Sequence, residues 1–314
     1  MDTSRRSFIF SLGGFACAAA VARPSAKPAV AHNLSVFLAD THISPKDVYK
    51  FTFERLQRNI DEILAMRPLP ARVVVLGDIA VGKGLADDYK LARKAFDRLV
   101  AAGIELHFTM GNHDHRRAFA EEFPEYSKNE IVANRFVSIV NLGYMDLVLL
   151  DSLDENCAAP NAANPAGGTI DPKQLAFVRD VLVKHGNPFI CAAHHGPGEM
   201  TCKIGGKQAD VLQYLKECEN YRGWVQGHAH RWSRLFNVGN SKSRSATFRR
   251  LILPSSGYWG DIGYVTARSY PDKLEFTLEM RDFYYPSPIS GNEAKPKVWQ
   301  EIVREKTGEK CTFY

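Results

Sequence analysis

Short apolar runs alternate with longer amphipathic segments through the first two thirds of the chain. The amphipathic segments repeat with the period of a helix, whereas the apolar runs have the length of buried strands. The predicted strands are Leu34–Ala39, Arg72–Leu76, Ile104–Met110, Phe136–Val140, Leu147–Leu150, Phe189–Ala193 and Trp224–Gln226. The predicted helices are Val48–Met66, Leu85–Ala102, Pro172 to about His185, and Lys207–Cys218. This alternation is typical of βαβ units and predicts an α/β fold with a largely parallel sheet.

The pattern becomes all-β after residue 230. The predicted strands there are Ser233–Asn237, Arg250–Leu253, Gly263–Ser269 and Leu274–Asp282, and a last amphipathic helix covers Val298 to about Lys306. The sequence shows no internal repeat and no signal for a second large domain. We therefore predict one main domain over 32–290, followed by a linker and short helix over 291–314.

The first thirty-one residues have the layout of an export signal. A basic lead with Arg5 and Arg6 precedes an apolar run from Phe8 to about Ala22, and small residues follow. The run is too short for a membrane span, and the paired arginines predict a twin-arginine signal over 1–31. We expect an exported, periplasmic or extracellular protein that engages the twin-arginine machinery and keeps no stable membrane anchor. An uncleaved anchor and a chance arginine pair remain the alternatives.

Composition and charge are those of an ordinary globular protein. Apolar residues make up 45% of the chain and charged residues 24%, and the formal net charge is +5. This small excess of positive charge is spread widely and argues neither for nor against a polyanionic partner. No nucleic-acid partner is expected, because the sequence shows no interleaving of basic and aromatic residues. The six cysteines have no zinc-site spacing and do not form a disulfide framework, although one bridge could form in an oxidising compartment.

Five short polar motifs each close or directly follow a predicted strand. Ligand sites of open α/β sheets lie at the carboxyl ends of the strands, because loops and helix amino termini converge there. The five segments are Asp40-Thr41-His42, Gly77-Asp78, Gly111-Asn112-His113-Asp114, His194-His195 and Gly227-His228-Ala229-His230. Taken singly, each has an ordinary explanation as a turn or a strand-end histidine. Together they supply carboxylate, amide and imidazole donors, which suit zinc, iron or manganese.

The combination resembles the calcineurin-like metallophosphoesterase superfamily, in the branch of purple acid phosphatases and class III cyclic-nucleotide phosphodiesterases. The resemblance covers about residues 33–265 and implies two mixed β-sheets packed as a sandwich flanked by helices. It also implies two divalent metal ions and hydrolysis of small-molecule phosphate esters by a metal-bound hydroxide. By position, the first metal would be held by Asp40, His42, Asp78 and His230, and the second by Asp78, Asn112, His194 and His228.

The resemblance also implies roles for the side chains beside these ligands. His113 would face the phosphate and assist the leaving oxygen, and Asp114 would orient His113 through a hydrogen bond. His195 would lie next to the ligands without binding metal. Val81 stands where purple acid phosphatases carry a metal-binding tyrosine, which predicts a colourless protein. No acidic residue follows Asp78 closely, which weakens the cyclic-nucleotide alternative.

Residues that could contact the substrate are less sharply indicated. Arg116 and Arg117 follow the His113 turn and could hold phosphate oxygens, although a solvated first turn of a helix explains them equally well. His195 is a further candidate. Tyr258 and Trp259, in the loop after Ser255-Ser256-Gly257, could also contact the substrate.

The leading hypothesis is therefore an exported, metal-dependent phosphomonoesterase or phosphodiesterase. Two alternatives stay open. One is a non-catalytic exported protein that binds metal or ligand, although such a protein would not need a histidine at position 113. The other is a nuclease of the same superfamily, for which the sequence shows no basic groove.

Overall fold

The computed structural model describes residues 29–127, 131–155, 166–182, 186–236, 249–284 and 296–314. Residues 1–28 of the predicted signal, and the predicted boundary at residue 290, lie outside these ranges. The first described strand, β1, already begins at Val30. Within the described part of the chain, no helix combines the length and the apolar character needed to span a membrane.

The first half of the fold alternates strands and helices, as predicted. Its strands are β1 (Val30–Leu38), β2 (Leu69–Leu76), β3 (Glu105–Thr109), β4 (Ser138–Asn141) and β5 (Asp146–Leu149). Its helices are α1 (Lys50–Ala65), α2 (Ala86–Ala101), α3 (Arg116–Glu122) and the short α4 (Pro124–Ser127).

The second half contains more strands than helices. The strands are β6 (Gly168–Thr169), β7 (Phe189–Ala193), β8 (Met200–Thr201), β9 (Lys203–Ile204), β10 (Lys207–Gln208), β11 (Tyr221–Gln226), β12 (Ser233–Phe236), β13 (Arg249–Ile252), β14 (Gly260–Tyr270), β15 (Lys273–Tyr284) and β16 (Lys310–Phe313). The helices are α5 (Pro172–Phe177), extended by a π-helical turn over Val178–Leu182, α6 (Val211–Lys216) and α7 (Pro296–Lys306).

Two six-stranded mixed sheets form the frame. The first has the order β16-β15-β14-β1-β2-β3, with β1, β2 and β3 parallel, and the second has the order β12-β13-β11-β7-β5-β4, with its four central strands parallel. Alternate side chains of one strand enter different layers: Val36 and Leu38 pack with the helix α1 and α2 side chains, whereas Phe37 faces the second sheet. This confirms the predicted sandwich flanked by helices, because β1 is apolar on both faces and lies between a helical layer and the second sheet.

A third apolar layer covers the outer face of the second sheet. Trp224 and Phe189 pack there against Leu175 of α5 and Leu215 of α6. The order is therefore helices, sheet, sheet, helices, and the carboxyl ends of the parallel strands of both sheets lie together at one edge.

The structure departs from the prediction at two elements. The helix predicted over Lys207–Cys218 begins only at Val211, because the Asp210 side chain caps it by accepting from the Gln213 amide at 2.9 Å. Lys207 and Gln208 instead pair with β9 as a small hairpin. The strand β16 was not predicted, since four residues at a chain end carry little periodicity, yet it pairs with β15 and extends the first sheet.

Candidate metal centre

The structure brings the five polar motifs together at one edge of the sandwich. Three motifs follow β1, β2 and β3 of the first sheet, and two follow β7 and β11 of the second. The seven side chains predicted as metal ligands meet where these strand ends converge: Asp40, His42, Asp78, Asn112, His194, His228 and His230.

Backbone strain is concentrated in these motifs. Six described non-glycine residues have a positive φ, and five of them are predicted ligands: Asp40 (55°), His42 (47°), Asp78 (49°), His228 (66°) and His230 (51°). Each such conformation costs on the order of 1–3 kcal/mol for a side chain of this kind. Backbone hydrogen bonds hold two of them, from the Asp40 amide to the Gly77 carbonyl at 3.1 Å and from the His42 amide to the Asp78 carbonyl at 2.9 Å. Strain that is kept in place by the fold marks this edge as functional.

Two glycines let the loops after β2 and β3 touch. A Cβ on Gly111 would lie 2.1 Å from the Asp78 carboxylate oxygen Oδ1, and one on Gly77 would lie 2.6 Å from the Gly111 amide nitrogen. Gly77 also has a φ of 73°, a conformation that glycine adopts without strain. The glycine before Asp78 and the glycine before Asn112 are therefore steric requirements of the site.

The first donor set comprises Asp40, His42, Asp78 and His230, all buried. His230 Nε2 lies 3.1 Å from Asp40 Oδ1 and 3.2 Å from His42 Nε2. His42 Nε2 lies 3.5 Å from Asp78 Oδ2. Four potential ligand atoms thus face one point.

The second donor set is centred on His194. Its Nε2 lies 3.1 Å from Asp78 Oδ2, 3.2 Å from Asn112 Oδ1 and 3.3 Å from His228 Nδ1. The same oxygen of Asp78 therefore contacts a histidine of each set. This carboxylate lies between the two sets.

These separations fit metal coordination. Zinc–nitrogen and zinc–oxygen bonds of about 2.0–2.2 Å place neighbouring tetrahedral ligand atoms about 3.3–3.6 Å apart. The six contacts above span 3.1–3.5 Å. Nitrogen donors that approach each other this closely need a proton or a cation between them, and the mixed carboxylate, amide and imidazole set suits a borderline divalent ion.

Backbone carbonyls set the tautomers of two histidines. His194 Nδ1 is 2.9 Å from the Leu76 carbonyl oxygen, and His230 Nδ1 is 3.1 Å from that of Trp259. A carbonyl only accepts, so each Nδ1 must donate, and in the neutral imidazole each Nε2 keeps its lone pair facing the donor set. No sequence pattern marks such carbonyl partners.

Charges in the centre are strongly coupled. Burial opposes ionisation of Asp78, but the adjacent His194 and His42 imidazoles hold the pKa of Asp78 well below its usual range. Burial would lower the pKa of His194, yet the Asp78 carboxylate raises it to about 10. Burial lowers the pKa of His42 to about 3, so its neutral imidazole is ready to act as a ligand. A cation would replace the proton that His194 otherwise shares with Asp78.

His113 lies beside the first donor set and is partly exposed. Its ring centroid is 5.0 Å from that of His42, and its backbone amide donates to Asp78 Oδ1 at 2.9 Å. Its Nδ1 donates to the Gly82 carbonyl at 3.1 Å, which leaves Nε2 available to a bound ester. The orienting contact that we expected from Asp114 thus comes from Gly82.

Asp114 instead joins the loops after β2 and β3. Its carboxylate accepts from the amides of Ile79 (3.1 Å), Ala80 (3.2 Å) and Gly111 (2.9 Å) and from the Tyr89 hydroxyl (3.0 Å). Burial, together with the nearby Asp78 carboxylate, raises the pKa of Asp114 to about 6. The predicted role of Asp114 is corrected accordingly: it holds the backbone that presents Asp78 and His113.

Replacing Asp114 with alanine is expected to lower the free energy of unfolding by about 3 kcal/mol, because several buried donors lose their acceptor. Urea denaturation of the metal-free protein measures this change. Asp171→Ala is the matched control: Asp171 caps α5 by accepting from the Lys173 amide, and its loss should cost about 1 kcal/mol. Equal losses in the two variants would contradict the assigned role.

The structure does not place the predicted substrate-binding arginines at the centre. Arg116 forms a two-pronged ion pair with the buried Asp151 at 2.8 Å for each contact, and it also pairs with Glu155. Arg117 is 84% exposed and pairs with Glu121 one helical turn away. The prediction for both arginines is therefore corrected: Arg116 has a structural role, and Arg117 lies at the surface. A guanidinium pairs with whichever carboxylate the packing brings near.

His195 is buried rather than open to substrate. Its Nδ1 lies 2.8 Å from the Ser152 hydroxyl, and its ring centroid is 4.7 Å from that of His228. Burial and the neighbouring His194 hold the pKa of His195 well below its usual range. His194, His195 and His228 thus form one histidine group, in which His194 and His195 are buried and His228 is partly exposed.

The comparisons with known proteins agree with this geometry. The sequence model of the calcineurin-like phosphoesterase family matches residues 35–232. The chain belongs to the calcineurin-like phosphoesterase family. The match spans all five motifs of the candidate centre, and the family is metal-dependent. Sequence and structure together describe a phosphoesterase of this family. Its clustered histidine and aspartate side chains could hold a metal ion.

Two relatives extend the comparison. A protein of Rhodopseudomonas palustris, named as a probable cyclic nucleotide phosphodiesterase, is 33% identical over 259 residues, which cover 77% of this chain and 80% of the relative. The crystal structure of a dimetal phosphatase from Danio rerio superposes with a TM-score of 0.58 at 15% identity, covering 77% of this chain and 94% of that one. At that identity the structural likeness concerns the fold.

Proposed function

We propose that this chain hydrolyses phosphoesters of small molecules with the help of two divalent metal ions, which we expect to be manganese, iron or zinc. The observation that carries the proposal is the position of Asp78 Oδ2, which lies 3.5 Å from His42 Nε2 and 3.1 Å from His194 Nε2. One carboxylate oxygen shared by two donor sets is the arrangement that a pair of neighbouring cations requires.

Side chains of the two donor sets would hold both ions. Asp40, His42 and His230 complete one set, and Asn112, His194 and His228 complete the other. When bound, two such ions lower the pKa of a shared water and neutralise phosphate charge in an in-line displacement.

His113 supplies the second part of the proposed mechanism. Its Nε2 would hold or donate a proton at the leaving oxygen, because its Nδ1 is engaged by the Gly82 carbonyl. This histidine belongs to neither donor set. A protein that only bound metal would have no use for a histidine held in this way, which favours an enzyme over the non-catalytic alternative.

The substrate class is proposed from the relative's name. The Rhodopseudomonas palustris protein is named for cyclic nucleotides, which are phosphodiesters. We therefore favour small-molecule diesters over monoesters. A nuclease is a less favoured candidate, since the net charge of +5 is widely spread.

Turnover after metal removal and restoration tests the proposal. The purified protein is stripped with a chelator and assayed with bis- and mono-p-nitrophenyl phosphate, before and after manganese, zinc or iron is restored. We expect turnover only with metal, and a larger kcat/KM for the diester. No turnover of either ester with any metal would favour a binding protein, and full turnover after complete stripping would contradict metal dependence.

We also propose that the chain is exported through the twin-arginine route, on the basis of Arg5, Arg6 and the apolar run that follows. Replacing both arginines with lysine should retain the protein inside the cell. Fractionation of a bacterial host that has the twin-arginine machinery measures this, with the wild-type chain as reference. Equal distribution of the two proteins between compartments would argue against the signal.

A further inference from the structure

A tyrosine ring lies at the edge of the first donor set. The Tyr258 ring centroid is 4.9 Å from that of His42 and 6.2 Å from that of His230. Both histidines are buried, whereas Tyr258 is partly exposed. The tyrosine ring therefore lies between the metal ligands and the solvent.

Two more rings extend this surface. Phe51 lies 6.2 Å from Tyr258 with an interplanar angle of only 15°, and Tyr49 lies 6.0 Å from it. We call Tyr49, Phe51 and Tyr258 the aromatic wall. All three are partly exposed, and none belongs to the apolar clusters of the described residues. Core packing, the usual reason for an aromatic cluster, does not account for them.

The loop that carries Tyr258 is held firmly. Arg55 Nη1 donates to the Gly257 carbonyl at 3.2 Å and to the Tyr258 carbonyl at 2.6 Å, while its Nη2 pairs with Asp282 at 3.1 Å. The Tyr258 amide donates to the Ser255 hydroxyl at 2.9 Å. A ring on such a backbone loses little entropy when a ligand packs against it.

The aromatic wall and His113 contact the same metal-ligand ring. His113 and Tyr258 both flank the His42 ring, at 5.0 Å and 4.9 Å. In the proposed function His113 assists the leaving oxygen, so the group attached to that oxygen extends past His42 toward the solvent. The aromatic wall offers this group an apolar surface, because Tyr258 contacts the same His42 ring.

We propose that the aromatic wall binds a flat aromatic leaving group, so that the chain selects aryl or nucleoside phosphoesters over alkyl ones. This inference rests on the proposed function, because His113 defines the leaving side. Tyr258 acts as a specificity-determining residue, through offset or edge-to-face ring contact. The two ligand sources share an aromatic ring carried by the leaving group, directly on the leaving oxygen in an aryl ester and through the ribose in a nucleoside.

Binding of phosphonates, which are not hydrolysed, tests the wall separately from turnover. Phenylphosphonate and cyclohexylphosphonate are titrated calorimetrically into the metal-loaded protein. We expect phenylphosphonate to bind about fivefold more tightly, as ring–ring contact allows beyond buried area. Tyr258→Ala should reduce this ratio to about one, and Tyr258→Phe should retain it.

Tyr144→Ala is the matched control. Tyr144 is a partly exposed tyrosine in the turn before β5, at the opposite end of the strands, and its replacement should leave the ratio unchanged. Equal affinity of the wild type for both phosphonates would overturn the proposal, even in a protein that hydrolyses esters. A phenyl preference in a protein without turnover would uphold the wall and reject the proposed catalysis.

Binding of a third ligand distinguishes a nucleoside from a simple aryl group as the preferred leaving group. If an adenosine 5′-phosphonate binds more tightly than phenylphosphonate, and loses that advantage in Tyr258→Ala, the wall accepts a nucleoside. If it binds more weakly, the wall accepts a simple aryl group.

Discussion

Asp78→Asn is expected to lower turnover by about 10³-fold or more and to reduce the metal content of the purified protein. Asparagine keeps the shape of the side chain and an oxygen that can accept from the His113 amide, so the change removes mainly the negative charge. That charge lies between the two donor sets, where it would offset part of the charge of both cations. Elemental analysis and ester turnover, measured on the same preparation, check both expectations.

Asp146→Asn is the matched control for this variant. Asp146 is also a buried carboxylate, but it stands at the amino end of β5 and pairs with Asn187 at 3.3 Å. Its replacement should leave metal content and turnover near the wild-type values. An Asp78→Asn protein with the full metal content and turnover would show that the carboxylate between the sets is not required.

His113→Ala is expected to lower turnover by roughly 10²–10⁴-fold, the usual scale of acid–base assistance, with the metal content unchanged. The metal content should persist because His113 belongs to neither donor set. A further readout is the leaving group: the loss should be smaller for a p-nitrophenyl ester, whose leaving oxygen needs little protonation, than for an alkyl ester. Steady-state kinetics with both esters measures the difference.

His107→Ala serves as the control for the histidine. His107 lies on β3, and its nearest charged partner is Glu105 at 3.7 Å. Wild-type kinetics are expected for this variant. If His113→Ala loses metal instead of turnover, then His113 is a ligand and the assigned role is wrong.

Local pattern was sufficient for the elements that frame the site. Apolar runs of strand length led to β1, β2, β3 and β7 within a few residues, because strands buried on both faces read as continuous apolar runs. The short strand β16 was missed, since four residues depend on pairing with β15 rather than on their own periodicity.

Side-chain roles outside the motifs depended on packing. Arg116 was expected at the phosphate, but Asp151 lies nearer in the folded chain and forms the ion pair. Asp114 was expected to bond His113, but three backbone amides and a hydroxyl surround its carboxylate. Partners of this kind come from other strands and loops, and no spacing along the chain encodes them.

The sequence by itself determined that carboxylate, amide and imidazole donors stand at the ends of successive strands, and it determined the α/β architecture that the structure confirms. Strand-end position is a local property, because it depends on a few apolar residues followed by a polar turn. Only the tertiary structure decided which individual donor atoms face each other and at what distances, and that Tyr258 stands beside His42. Those relations arise when two sheets pack face to face, since contacts between residues 40, 78, 194 and 230 depend on the register of strands that are distant in the chain.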